Sequence, residues 1–156
     1  VLSKWYLGSL LGLIRQVKLP GYYKGVGILG FEQGADTTMV SGSIQLLLAK
    51  AREWSHEDSL VVLQGDVKAA FDDLRLKHVA KAMSRRGVPG KLVAGLLRKG
   101  WGMKCRPLFE DAEVNDVAYS RSVRQGGVES PFCWNEVVRD VLAILKQRWK
   151  EEGRGV

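Results

Sequence analysis

Cysteine and histidine are scarce in this sequence, which holds only Cys105, Cys133, His56 and His78. Neither pair has the spacing of a zinc set such as C-x-x-C, so structural zinc is excluded and free thiols in a reducing compartment are expected. Long apolar runs are missing too, because charge or glycine interrupts each one before the roughly 18 residues a membrane-spanning helix needs. Val1 to Leu13 lacks the basic start and cleavage site of a secretory leader. The expectation is an intracellular protein of nucleus or cytoplasm, neither secreted nor membrane-bound. The first residue is Val1 rather than methionine and the last four are Gly153-Arg154-Gly155-Val156, which leaves open whether the ends are cuts or natural termini. Repeats and low-complexity segments are absent, which argues against solenoids and tails. With 46% hydrophobic and 26% charged residues in 156 positions, one ordinary core is within reach.

The most informative absence is that of acid. No Asp or Glu occurs between Leu74 and Phe109, whereas Arg75, Lys77, Lys81, Arg85, Arg86, Lys91, Arg98, Lys99, Lys104 and Arg106 all do. This block accounts for much of a formal charge of +7, and a field of one sign attracts a polyanion. Nucleic acid is the expected partner. A solvated face that merely keeps the chain soluble is the alternative.

What is present organises into helices with a small sheet. Leu7, Leu10, Leu11 and Ile14 have helical spacing within residues 1–18, although Gly8 and Gly12 weaken it. Glycine then punctuates a loop that ends in Gly30-Phe31-Glu32-Gln33-Gly34. Asp36 or Thr37 can cap a helix running to about Trp54, with Val40, Ile44, Leu47, Leu48 and Ala51 as its buried stripe. The run Leu60-Val61-Val62-Leu63 is short and β-branched, so it reads as a buried strand that delivers Asp66 at its end. Leu76, Val79, Ala80 and Met83 mark a helix that Gly87 can end, and Pro89 can open another through Leu92, Val93, Leu96 and Leu97. Both should turn their basic residues outward. Cys105 to Phe109 and Val117 to Val123 alternate like two antiparallel strands. Ser130-Pro131 caps a last helix whose stripe is Trp134, Val138, Val141, Leu142, Leu145 and Trp149. The fold class is therefore α+β and helix-rich, with a small antiparallel sheet.

Two segments carry chemistry. In Asp66-Val67-Lys68-Ala69-Ala70-Phe71-Asp72 a carboxylate leaves an apolar strand, where it can hold a divalent cation, although an aspartate between strand and helix more often caps orphan amides. In Arg124-Gln125-Gly126-Gly127-Val128-Glu129-Ser130-Pro131-Phe132-Cys133-Trp134-Asn135 a glycine loop leads into a capped helix, so exposed amides can approach a nucleotide closely. Together these segments resemble the reverse transcriptase family, whose palm has D-x-x-x-A-F-D and, later, R-Q-G followed by S-P and an aromatic-Asn pair. Gly30-Phe31 and Thr37-Thr38 before a helix are similar to the fingers segment of retrotransposon enzymes, of the non-LTR or LINE type. The resemblance covers roughly residues 25 to 145, and all three motifs stand in the family's order.

The resemblance implies the fingers and partial palm of a right-hand polymerase in one incomplete domain, with fingers-side helices over about 1–58 and palm over about 59–156. It implies an RNA-directed DNA polymerase working on an RNA template, a DNA primer and deoxynucleoside triphosphates, with Mg²⁺ as cofactor. Asp66 then becomes the first metal-binding and catalytic aspartate, and Val67 a backbone carbonyl ligand. Lys68 and Arg124 become phosphate contacts, and Gln125 and Gly126 line the nucleotide and template site, facing the same nucleotide as Asp66. Phe71 matches the gate that crowds the 2′ position, although a core phenylalanine reads the same. The basic residues Arg75, Lys77, Lys81, Arg85, Arg86, Lys91, Arg98 and Lys99 would hold nucleic acid. Two departures bear on this. Glu32 stands where many relatives have arginine, and no Y-x-D-D-like turn follows Gln125, since Asp72-Asp73 lies upstream inside the first motif. The rest of the palm and the thumb are therefore expected from the same polyprotein, with the fragment inactive alone. The alternative is a non-catalytic nucleic-acid-binding relic of a retroelement.

Overall fold

The computed structural model describes residues 2–24, 26–32, 34–53, 62, 64–98, 100–106, 115–118, 123–124 and 126–154. Among the described residues five helices and a two-stranded sheet follow in the order α1 (Leu2–Arg15), a 3₁₀ turn (Gly21–Tyr23), α2 (Thr37–Ala51), α3 (Leu76–Arg86), α4 (Gly90–Leu97), β1 (Lys104–Cys105), β2 (Val117–Ala118) and α5 (Ser130–Glu151). They divide into two compact units, one made of 1–26 and 69–156, the other of 27–68. The fold is helix-rich with a small antiparallel sheet, as the sequence implies. Among the described residues no helix is long and apolar enough to cross a membrane.

The first unit builds its core from the stripes read in the sequence. Leu7, Leu10, Leu11 and Ile14 of α1 meet Val79 and Met83 of α3 and Val93, Leu96 and Leu97 of α4 in one buried cluster. Helix α3 ends where Gly87 turns left-handed at φ 85°, a conformation that glycine adopts without a Cβ penalty. The Val88 amide then reaches back to the Met83 carbonyl (3.0 Å) and the Gly87 amide to Ser84 (2.9 Å), and Val88 and Met83 are both buried at the stop. Pro89 precedes α4 as its N-cap residue. In the sheet Lys104 pairs with Ala118 and Cys105 with Val117, beside an Arg106–Asp116 ion pair of 2.9 Å. Residues 107–109 and 119–122 of the expected strands lie outside the described residues, and Val123 is described in irregular backbone.

Helix α5 corrects the sequence reading. Its buried residues include Phe132, Glu136, Asp140 and Ala143, spaced i, i+4, i+8 and i+11 along one face. Of the expected stripe, Trp134 packs partly buried against the core, whereas Val141, Leu142 and Trp149 are 55%, 37% and 42% exposed. Ion pairing explains the difference. Arg86 of α3 donates to Glu136 at 2.5 Å, Arg85 donates to Asp140 at 2.6 Å, and Tyr23 of the 3₁₀ turn donates to Asp140 at 3.3 Å. Arg139 also pairs with Glu136. Two carboxylates facing α3 thus outweigh apolar periodicity, because each finds an arginine partner there. Ser130 is the first helical residue rather than the cap, and its hydroxyl donates to the Arg124 carbonyl at 2.5 Å.

Cys133 sits in this core. Burial pushes its thiol up to about 12, with the negative charges of Glu129 and Glu136 adding to the effect. Only the thiolate is nucleophilic, so at pH 8 iodoacetamide is expected to label exposed Cys105 and to spare Cys133 until urea unfolds the chain. Mass spectrometry counts the adducts. Two adducts on the folded chain would contradict the burial of Cys133.

In the second unit Asp36 caps α2, its carboxylate accepting from the Met39 amide (2.9 Å) and the Thr38 hydroxyl (2.5 Å). Those bonds, Thr38's first, hold its carboxyl below the ordinary aspartate value. The helix closes at Ala51, three residues before Trp54. Its apolar stripe is not buried, which corrects the expectation: Val40, Ile44, Leu47 and Leu48 are 38–44% exposed. Amphipathic spacing sets which residues share a face but supplies nothing to cover it. Of the expected strand only Val62 is described, and it is exposed in irregular backbone.

Candidate active-site elements and basic surface

The first motif straddles the two units. Asp66, Val67 and Lys68 close the second unit, all exposed, and Asp66 accepts a 2.9 Å hydrogen bond from the Val67 amide through one carboxylate oxygen. The chain then turns at Ala69, a non-glycine residue at φ 53°, where the Asp73 amide closes back onto the Ala69 carbonyl at 2.9 Å. A left-handed alanine costs roughly 1–2 kcal/mol, so the turn is held by what surrounds it. Phe71 is partly buried against the core of the first unit, its ring 6.1 Å from that of Trp134. Its carbonyl accepts from the Val123 amide at 3.1 Å, which ties this motif to the residue preceding Arg124.

The glycine loop is a tight turn. The Arg124 carbonyl accepts from the Gly127 amide at 3.0 Å, and Gly126 takes φ 76°. A Cβ on Gly127 would stand 2.8 Å from Ser130 Oγ and 3.0 Å from the Arg124 carbonyl, so only glycine fits without displacing the turn. A cavity of about 400 Å³ is lined by Arg124, Gly126, Gly127 and Glu129 of the loop, with Lys4 of α1 and Leu96 of α4. Glu129 Oε2 is buried without a hydrogen-bond partner among the described residues. Gln125 lies outside the described residues, so the expected meeting of Asp66 and Gln125 belongs to the proposal below.

Oxygen donors such as the Asp66 carboxylate and the Val67 carbonyl suit magnesium, a hard cation. They are too few for a site by themselves. Among the described residues no group of three or more His, Cys, Asp or Glu is placed to hold a metal ion.

The basic block separates into two kinds of residue. Lys77, Lys81, Lys91 and Arg98 are exposed, and no ion pair engages them among the described residues. Arg86 is a correction, being 5% exposed and committed to Glu136 and to the carbonyls of Ile14 (3.4 Å) and Val17 (3.3 Å). Arg85 is held by Asp140, and Arg75 is half-buried at the start of α3. Neither Arg85 nor Arg86 therefore points freely outward as the sequence suggested. Lys99 lies outside the described residues. Sequence reading also missed Trp101, which is 76% exposed within the acid-free block.

A sequence model of the reverse transcriptase family, the RNA-dependent DNA polymerases, matches residues 19–155. The chain belongs to that family. Neither the curated proteins nor the solved structures contain a significant match to it. In this reverse transcriptase chain the matched span takes in the Asp66 motif, the basic helices α3 and α4 and the glycine turn before α5. Family membership accordingly rests on sequence, while the local geometry of the two motifs comes from the structure.

Proposed function

We propose that this chain is the fingers and partial palm of a non-LTR retrotransposon reverse transcriptase, working in the nucleus or cytoplasm on an RNA template, a DNA primer and deoxynucleoside triphosphates. The match over residues 19–155 is the observation that carries this reading. The fingers-side part takes about 1–58 and the palm about 59–156, with further palm and a thumb supplied by the same polyprotein. Asp66 and the Val67 carbonyl are the part of a magnesium site that this chain supplies, and they meet the same nucleotide as Gln125 and Gly126. Magnesium, when bound, stabilises charge on the attacking and leaving oxygens. Lys68 and Arg124 hold phosphate oxygens. Phe71 is positioned on both sides, by Trp134 at its ring and by Val123 at its carbonyl, which suits a side chain that must crowd the 2′ position without yielding. Primer extension on an RNA template is the direct test. Incorporation indifferent to Asp66 would overturn the assignment.

The second reading is a non-catalytic nucleic-acid-binding relic of a retroelement that uses the exposed cations of α3 and α4 alone. Both readings require binding. Four exposed cations on α3, α4 and the residue after α4, each releasing a counterion on meeting a phosphate, give log K a slope near −3 against log salt for single strands. A rise from 50 to 200 mM salt is therefore expected to weaken binding about 50-fold. Affinity that ignores salt would return the basic block to a mere solubilising face.

A further inference from the structure

Between α3 and α4 runs an open groove of about 770 Å³, lined by Ala80 and Ser84 on one helix, Val93, Ala94 and Leu97 on the other, and Trp101 with Arg98. Trp101 is the most exposed of the large apolar side chains described. On α3, Lys77 and Lys81 flank Ala80 and Ser84 at three- and four-residue steps, which places them beside the groove. Lys91 and Arg98 stand seven residues apart, two turns along the other bank. Apolar lining, a bare indole and cations on both banks thus occur together.

An apolar protein segment filling this groove would leave the surrounding cations uncompensated. An unpaired base matches both features, because its π face suits the indole and its flanking phosphates suit the cations. A duplex keeps its base faces stacked internally and offers only the phosphates. We propose that the groove is a stacking platform for an unpaired base of single-stranded nucleic acid, with Trp101 against the base and Lys77, Lys81, Lys91 and Arg98 on the adjoining phosphates. This rests on the reading of the chain as a nucleic-acid-handling protein and adds a place, a residue and a preference for single strands.

The test is fluorescence anisotropy of the 156-residue chain with a labelled oligouridine 12-mer and with a 12-base-pair duplex, at two salt concentrations. Trp101→Ala is expected to weaken single-strand binding about tenfold, while Trp101→Phe stays within about threefold, since a phenyl ring also stacks. Both variants keep the wild-type salt slope, because no phosphate contact is lost. The pair Lys77→Ala and Lys81→Ala lowers that slope by about 1.4. Duplex affinity should move less than twofold with Trp101→Ala. Salt-dependent binding that ignores Trp101 would overturn the platform and leave the nucleic-acid reading standing. Absence of binding by the wild-type chain to either probe at low salt overturns both. Equal loss on single strand and duplex refutes stacking, and so does a Trp101-dependent dimer in sedimentation, which would make the groove an interface between copies.

Discussion

Arg86→Ala is expected to destabilise the chain by about 3–5 kcal/mol, the range for breaking a buried ion pair by removing one partner. Arg86 is 5% exposed and Glu136 2% exposed, so water cannot replace what is lost. The guanidinium joins three elements at once. It pairs with Glu136 of α5, donates to the Ile14 and Val17 carbonyls at the end of α1, and lies 5.9 Å from the centre of the Phe132 ring. Arg139 still pairs with Glu136 in the variant, which favours the lower end of the range. Arg86→Lys keeps the charge but not the planar fork, so it should fall between the two. Adding Glu136→Gln to Arg86→Ala removes the buried carboxylate that has lost one of its two arginines and should recover part of the loss, a coupling that independent sites would not show. Urea unfolding monitored by circular dichroism measures these proteins together with Glu136→Gln alone, which closes the cycle. A loss under 1 kcal/mol for Arg86→Ala would mean that the pair is not the clamp between α3 and α5.

The same arginine shows where sequence reading stops. Glu136 lies 50 residues from Arg86, and nothing local distinguishes an arginine with a distant buried partner from its solvated neighbours. Lys77 and Lys81, on the same helix, are exposed as expected. Local signals were legible: the stripe of α1, the stop at Gly87 and the Asp36 cap each depend on residues within one or two turns. Which face of α5 is buried depends instead on what α3 presents to it. Periodicity therefore pointed to Val141 and Trp149, whereas pairing buried Glu136 and Asp140. The stripe of α2 was legible as spacing but not as burial, since coverage comes from elsewhere. For the candidate site, motif order was enough for family membership and the glycine turn adopts the tight form its residues imply. Trp101 escaped notice because a single tryptophan has no period, and only the groove beside it gives its exposure a meaning.

Asp66→Asn is expected to lower primer extension about 10³-fold in a chain that also carries two further metal-binding aspartates. Loss of a metal contact worth several kcal/mol, near 4, corresponds to that factor at 1.36 kcal/mol per tenfold. The substitution is close to isosteric and keeps an oxygen to accept from the Val67 amide, the 2.9 Å bond that the carboxylate makes now. Because Asp66 is exposed and its local bond survives, unfolding midpoints should barely move. Activity would then fall without stability, which separates a ligand from a cap: a cap replaced by asparagine, itself a good cap, loses little of either. The 156-residue chain alone is expected to add no nucleotide, since one assigned carboxylate leaves most of the charge of a magnesium pair to water and triphosphate and does not fix an in-line geometry. Incorporation by that chain would show that a second carboxylate completes the site, and Glu129, whose buried oxygen beside the glycine turn has no partner among the described residues, would be the first to replace. Extension that survives Asp66→Asn in the longer chain would move the metal away from this aspartate altogether.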